Sequence, residues 1–230
     1  MKGRVALVSG GTGALGRSVS SRFLSAGATV CIPYVVPAEL EALRARVGAA
    51  AEARLHCAHA DVTDEAAFGV FVRGVLATHG RVDILINGVG GFAGGDLAST
   101  SLAEWDRMLT LNLRSAVIGC RGVLPVMTAA GFGRIVNISS RAVVPPAGGF
   151  TAYTVAKAGI ITLTRALAKE VARGITVNAV LPSTMDTPAN RQALADADRS
   201  KWVSTDAVAE VIAYLASDAA AMVSGATIPV

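Results

Sequence analysis

The chain has 230 residues, of which 21 are lysine or arginine and 17 are aspartate or glutamate, a net charge of +4. That length points to one domain, and so small a charge, with positive residues scattered singly, excludes a dedicated nucleic-acid or membrane-surface patch. Hydrophobic residues at 52% exclude intrinsic disorder, and charges interrupt every run of about 18 apolar residues, so no membrane span is expected.

Val5–Val8 is a short apolar run between charge and glycine, the pattern of a buried strand. Leu15–Ala26 has helical apolar spacing and meets Gly27, a C-cap residue. Thr29–Ile32 reads as a second strand stopped by Pro33, Ala38–Val47 as a helix, and Arg54–Ala60 as a third strand. Glu65–Thr78 is a helix capped by Thr63 or Asp64 and stopped at Gly80. Val82–Asn87 is a fourth strand that runs into the glycine-rich loop Gly88–Gly95. Ser101 caps a long helix from Leu102 to Gly131, and Arg134–Ile138 is a fifth strand. Tyr153–Arg173 is a long helix ended at Gly174, and Ile175–Leu181 is a sixth strand stopped by Pro182. Ser204 or Thr205 caps a helix through Leu215, and Thr227–Val230 is the last strand.

Such alternation implies parallel strands joined by crossover helices. The expected fold is α/β: a single Rossmann-type doubly wound domain over residues 1–230, with a seven-stranded parallel sheet flanked by helices on both faces. The least regular stretch, residues 183–203, holds Pro188 and many polar residues and reads as a lid-like substrate segment. Cys31, Cys57 and Cys120 are too few and too scattered for a disulfide scaffold or a zinc site. Val5–Val8 is too short for a signal-peptide core, so a cytoplasmic setting is expected.

Ser9-Gly10-Gly11-Thr12-Gly13-Ala14-Leu15-Gly16 lies between the first strand and the first helix. Glycines there allow a tight turn and let backbone N–H groups approach a pyrophosphate at the helix N-terminus. Such a turn can also be purely structural, but its position favours a dinucleotide contact at Gly10, Thr12, Gly13, Ala14, Leu15 and Gly16. An acidic residue for the adenosine ribose belongs at the end of the second strand, yet Cys31–Val36 holds no carboxylate. That argues against strict NAD preference and leans the coenzyme towards NADP, although no arginine takes the place of the acid. Tyr34 either stacks on the adenine edge or covers the helix beneath.

Tyr153 and Lys157 stand four residues apart, on one helical face. A free phenol is a poor proton exchanger at neutral pH, and a nearby ammonium favours the tyrosinate. Ser140 precedes Tyr153 by thirteen residues, at the end of the fifth strand. Open sheets bind ligands beyond the carboxyl ends of their strands, so a hydroxyl there can hold a carbonyl oxygen while Tyr153 delivers the proton.

With these residues the chain resembles the short-chain dehydrogenase/reductase family over essentially its whole length. The Ser140, Tyr153 and Lys157 spacing is that family's specific signature. The first turn is similar to the family's Thr-Gly-x-x-x-Gly-x-Gly motif, with Ser9 for threonine and Ala14 for the middle glycine. The resemblance implies that Asp61 and Val62 meet the adenine ring. It implies that Asn87-Gly88-Val89-Gly90 corresponds to the Asn-Asn-Ala-Gly segment supporting the central strand, and that Asn87, Gly88 and Val89 border the coenzyme. It implies that Asn112 holds a proton-relay water, and that Pro182, Ser183, Thr184 and Thr187 lie beside the nicotinamide. Three departures stand out: Ala14 adds a methyl near the pyrophosphate, Gly88 removes a side-chain hydrogen bond, and Ser183 alters the nicotinamide edge.

The resemblance thus implies an NAD(P)-dependent oxidoreductase interconverting a carbonyl and a secondary alcohol, with Tyr153 as general acid/base and Asn112, Ser140 and Lys157 as partners. A 3-oxoacyl-thioester reductase is an alternative. Gly90–Gly95, Asp186–Arg191, Asp196–Asp198 and Trp202 also resemble dihydropteridine reductases, but those enzymes typically lack the serine and carry an acid after the second strand. The non-enzyme alternative is an NAD(P)-sensing binding protein. A homotetramer or dimer packed through helices at about 102–130 and 153–173 is implied, and relatives continue past Val230 with a short glycine-containing tail.

His56, Cys57, His59 and Asp61 fall on alternating faces of one strand, so no metal site is expected. Asp196, Asp198 and Asp206 read as solvated. Phe92, Arg141 and Phe150 are either walls of a substrate pocket or packing residues.

Overall fold

Along Val5–Ser9 (β1) the side chains divide between two cores. Val5 and Leu7 join a cluster with Phe68, Val72, Val123 and Met127, whereas Ala6 and Val8 join another with Val19, Phe23, Leu24 and Ile212. A strand covered on both faces needs this unbroken apolar run, because alternate residues point opposite ways. The computed structural model describes residues 1–230.

The first half continues with α1 (Ala14–Ser25), β2 (Thr29–Tyr34), α2 (Pro37–Val47), the single turn α3 (Ala49–Glu52), β3 (Leu55–His59), α4 (Glu65–His79) and β4 (Ile84–Asn87). Then follow α5 (Leu102–Leu109), a π-helical turn at Thr110–Arg114, α6 (Ser115–Ala130), β5 (Gly133–Ile138), α7 (Thr151–Glu170) and β6 (Ile175–Leu181). The last elements are β7 (Met185–Asp186), α8 (Pro188–Ala193), β8 (Val203–Ser204), α9 (Thr205–Leu215) and β9 (Thr227–Pro229).

Seven strands form one parallel sheet in the order β3-β2-β1-β4-β5-β6-β9. Helices α1 and α9 cover one face, and α4 and α6 the other. The chain winds outward in both directions from β1 and β4, so their carboxyl ends form the topological switch point where such sheets open a crevice.

Several boundaries differ from the sequence reading. The second strand does not stop at Pro33 but runs through it to Tyr34. Thr29 N donates to Arg4 O on the β1 side and Val30 N to Arg54 O on the β3 side. By that alternation Pro33 faces β1, where pairing has already ended at Leu7 and Cys31. Its missing N–H therefore costs no ladder bond. The helix expected over Leu102–Gly131 is interrupted by the π turn, and Gly131 caps it in the left-handed region. Helix α7 starts two residues before Tyr153 and ends at Glu170, because Val171 is already extended.

By length and composition Leu102–Ala130 is apolar enough to cross a membrane; in the fold Met108, Ile118, Cys120, Val123 and Met127 from this stretch are buried in the protein interior. The segment 183–203 is not wholly irregular: β7 and β8 pair in parallel, and α8 lies between them.

Candidate active site

The glycine turn and the loop after β4 touch at the switch point. Gly10 has φ +68, and a Cβ there would lie 2.8 Å from the Gly88 carbonyl. A Cβ on Gly16 would lie 1.9 Å from Gly10 O, so helix α1 starts hard against the turn. At Gly13 the nearest atom would be 3.4 Å away, an ordinary contact. Gly13 is the N-cap of α1 and supplies no side-chain cap, and Ala14 and Leu15 open the helix. The amide groups of this first turn are thus without a side-chain acceptor, the arrangement that receives a phosphate. These residues fit a dinucleotide coenzyme.

Thr12 is buried, and its hydroxyl donates to Glu39 Oε2 at 3.0 Å. Glu39 is an acid beside the glycine turn that the sequence reading does not single out. It lies not at the end of β2 but in the first turn of α2, which folds its carboxylate back to the glycine turn. The only sequence signal was an acid twenty-odd residues past the glycines. Tyr34 stands edge-on to His59, with ring centroids 5.8 Å apart, and its carbonyl accepts from Ala60 N. Asp61 accepts from both the N–H and the hydroxyl of Thr63, and Val62 is buried.

Asn87 turns away from the crevice. Its Nδ2 donates to Asn137 Oδ1 at 2.8 Å, and Asn137 Nδ2 donates to Thr164 Oγ1 at 2.9 Å, a buried polar chain tying β4, β5 and α7. Val89 is partly buried against the core that holds Phe68 and Val72.

The second cluster sits at the end of β5. Ser139 Oγ donates to Lys157 O at 2.7 Å, and Lys157 Nζ donates to Ile138 O at 2.9 Å, so the strand end and α7 are bound by both ends of one lysine. Lys157 is buried, and burial lowers its pKa to about 8. Its Nζ lies 6.0 Å from the centroid of the Tyr153 ring. Burial pushes the Tyr153 phenol above its ordinary value, and the Ser140 hydroxyl pulls it back. The Lys157 ammonium, donating to the neutral Ile138 carbonyl, stays a positive charge beside the phenol ring.

Asn112, on the π turn, donates from Nδ2 to Gly91 O at 3.0 Å and to Met108 O at 3.1 Å, and its Oδ1 accepts from Gly91 N at 3.2 Å. Gly90 lies between this amide and the lysine: a Cβ there would be 2.7 Å from Asn112 Oδ1 and 3.1 Å from Lys157 Nζ. Asn112, Gly90, Lys157 and Tyr153 thus form one contiguous group, and Ser140, whose hydroxyl accepts from Ala142 N, follows β5 beside it. The β6 edge is tied in separately. Pro182 O accepts from Arg141 N, Ser183 N donates to Val230 O, Thr184 O accepts from Val203 N, and Thr187 Oγ1 caps α8 through Asn190 N.

A glycine turn at the switch point and a Ser-Tyr-Lys group at the neighbouring strand end define a dinucleotide-dependent oxidoreductase. The family model described as short chain dehydrogenase matches residues 4–198. The chain belongs to that family, whose members use NAD(P) to interconvert CH–OH and C=O groups. It is 35% identical to the (2S)-[(R)-hydroxy(phenyl)methyl]succinyl-CoA dehydrogenase subunit BbsD of Thauera aromatica, over 98% of this chain and 94% of that one. It is 32% identical to the 3-oxoacyl-[acyl-carrier-protein] reductase FabG of Escherichia coli, over 100% of this chain and 96% of that one. The crystal structure of a levodione reductase superposes with a TM-score of 0.92 at 30% identity, covering 100% of this chain and 96% of that one.

Proposed function

We propose that the protein reduces a ketone to a secondary alcohol, and runs the reverse reaction, with Tyr153 as the proton donor and acceptor. The carrying observation is that the Tyr153 ring stands 6.0 Å from the buried Lys157 ammonium, which is itself held to the carboxyl end of β5. The first turn of α1, with Gly10, Thr12, Gly13 and Gly16, would hold the coenzyme pyrophosphate, and Tyr34, Asp61 and Val62 the adenosine half. Gly88, Val89, Lys157, Pro182, Ser183, Thr184 and Thr187 would line the rest. When bound, the coenzyme supplies or accepts the hydride.

Ser140 orients the substrate oxygen. Tyr153 Oη gives that oxygen a proton in reduction and removes it in oxidation. A phenol kept protonated by burial suits the acid role, and its conjugate base becomes available as pH rises. Asn112 holds the loop that closes this end of the crevice, and a water on its main chain is the proposed route for the proton to solvent. Residues 183–203 serve as the lid.

Glu39 bears on the coenzyme. The lack of an acid after β2 leans towards NADP, but a carboxylate at Thr12 would repel a second phosphate on the ribose. Either coenzyme is accepted in this proposal, with Glu39 setting the penalty for NADP. Similarity to FabG favours a second reading, a 3-oxoacyl-thioester reductase. A homo-oligomer packed through α5, α6 and α7 is also proposed, on the exposed Leu102 and Val155.

The test is Tyr153→Phe assayed for NAD(P)H oxidation across a panel of ketones, beside a coenzyme titration. Turnover should vanish while coenzyme binding stays. Full turnover in the variant overturns the mechanism, and wild-type binding with no turnover on any carbonyl favours a sensor.

A further inference from the structure

The sequence has six phenylalanines, three tyrosines and two tryptophans, and three of these rings converge on one point. Phe92 lies 5.1 Å from Tyr153 and 5.6 Å from Phe150, centroid to centroid, and Phe150 lies 6.1 Å from Tyr153. Their planes are inclined by 55° to 70°, the edge-to-face range that aromatic quadrupoles prefer.

Two loops that are far apart in sequence make this cluster. Gly95 N donates to Gly149 O at 2.8 Å and Thr151 N donates to Gly95 O at 3.2 Å, so the loop after β4 is laced to the start of α7. Asn112 fixes Gly91 on the other side of Phe92. In Gly90–Gly95 the phenylalanine is the one bulky side chain, and it is 62% exposed. A large apolar ring held rigidly in solvent beside a reactive phenol marks a surface that another molecule covers.

We propose that Phe92 and Phe150 form the wall of a substrate pocket for ketones and carbinols bearing an aryl or cyclic apolar ring beside the reacting carbon. This rests on the reading of Tyr153 and Ser140 given above. With the substrate oxygen at Tyr153 and Ser140, the adjoining substituent meets the two phenyl rings. They offer neither donor nor acceptor, so a polyhydroxylated substituent would lose its water hydrogen bonds unreplaced. Lys157 is buried and its ammonium donates to Ile138 O, so it presents no exposed cation at the rings. A flat ring completes the edge-to-face set.

The full chain, with NADH and with NADPH, is to be assayed on propiophenone, dihydroxyacetone and S-acetoacetyl-N-acetylcysteamine. The expected kcat/KM for propiophenone exceeds that for dihydroxyacetone by about a hundredfold, and that for the thioester as well. Phe92→Ala and Phe150→Ala should each lower the propiophenone-to-dihydroxyacetone ratio about tenfold, mainly through KM. Phe92→Leu should fall between, and thermal melts establish that the variants fold. Preference for dihydroxyacetone or the thioester, or an unchanged ratio in folded alanine variants, overturns the pocket while leaving the reaction intact. Failure to oxidise the coenzyme with any carbonyl removes the reaction and the pocket with it.

Discussion

Asn112 grips Gly91 by both polar groups of that residue's backbone, accepting from its N–H and donating to its carbonyl. The grip sets where Phe92, the next residue, stands against Tyr153. Asn112 is therefore a positioning residue as well as a candidate water anchor. Asn112→Ala should cost about 1–3 kcal/mol of stability, because it orphans partly buried backbone groups. It should also lower kcat/KM by tenfold to a hundredfold through misplacement. Urea unfolding and steady-state kinetics check both, and Asn112→Asp, which keeps the acceptor for Gly91 N, should recover part of the loss.

Lys157 gives a pH signature. Its folded pKa of about 8 lies below the ordinary 10.5, so the buried cation costs roughly 3 kcal/mol while both states are protonated. Below pH 8 that cost is constant. Between pH 8 and 10.5 the folded state sheds its proton first, the unfolded state holds more protons, and stability from this group rises with pH. Lys157→Met should therefore lack turnover yet be more stable than the parent at pH 7, less the loss of the Ile138 hydrogen bond. Its advantage should shrink by roughly 2 kcal/mol by pH 9.5. Denaturant melts at the two pH values measure the difference; a constant gap would contradict the burial argument.

Glu39→Gln removes the charge beside Thr12 and keeps a side chain of the same size. The ratio of kcat/KM with NADP to that with NAD should rise about tenfold. An unchanged ratio would mean that the carboxylate acts only on Thr12.

Gly119 lies against Asn87. A Cβ there would fall 2.2 Å from Asn87 Oδ1, whose amide is anchored to Asn137. Gly119→Ala should cost about 1–3 kcal/mol. Gly74, exposed on α4 with no heavy atom within 4 Å of a built Cβ, is the opposite case. Gly74→Ala should stabilise by about 0.5–1 kcal/mol. Paired thermal melts check the contrasting signs.

The parts legible in the sequence are those set by local pattern. Apolar runs such as Val5–Val8 mark strands because both faces are covered, and Tyr153 with Lys157 is readable because helical geometry alone joins positions four apart. Pro33 misled because the sequence shows a missing N–H but not which neighbour it faces. Glu39 was missed because only the packing of α2 returns it to the glycine turn. The meeting of Phe92 with Phe150 depends on Gly95 pairing with that segment, a contact between loops that no periodicity announces. The hydrogen bond of Lys157 to Ile138 O, which ties helix α7 to the end of β5, is equally tertiary.

The π turn at Thr110–Arg114 acts as a phase shifter. Helix α5 packs on α7, and α6 packs on α4, and one surplus residue rotates the first relative to the second by about 100°. Deleting a single residue there would yield a more regular helix and a worse enzyme: whichever half kept its seat, the other would present the wrong side. Natural variation in this stretch should therefore tolerate exchange of side chains far better than any change in length.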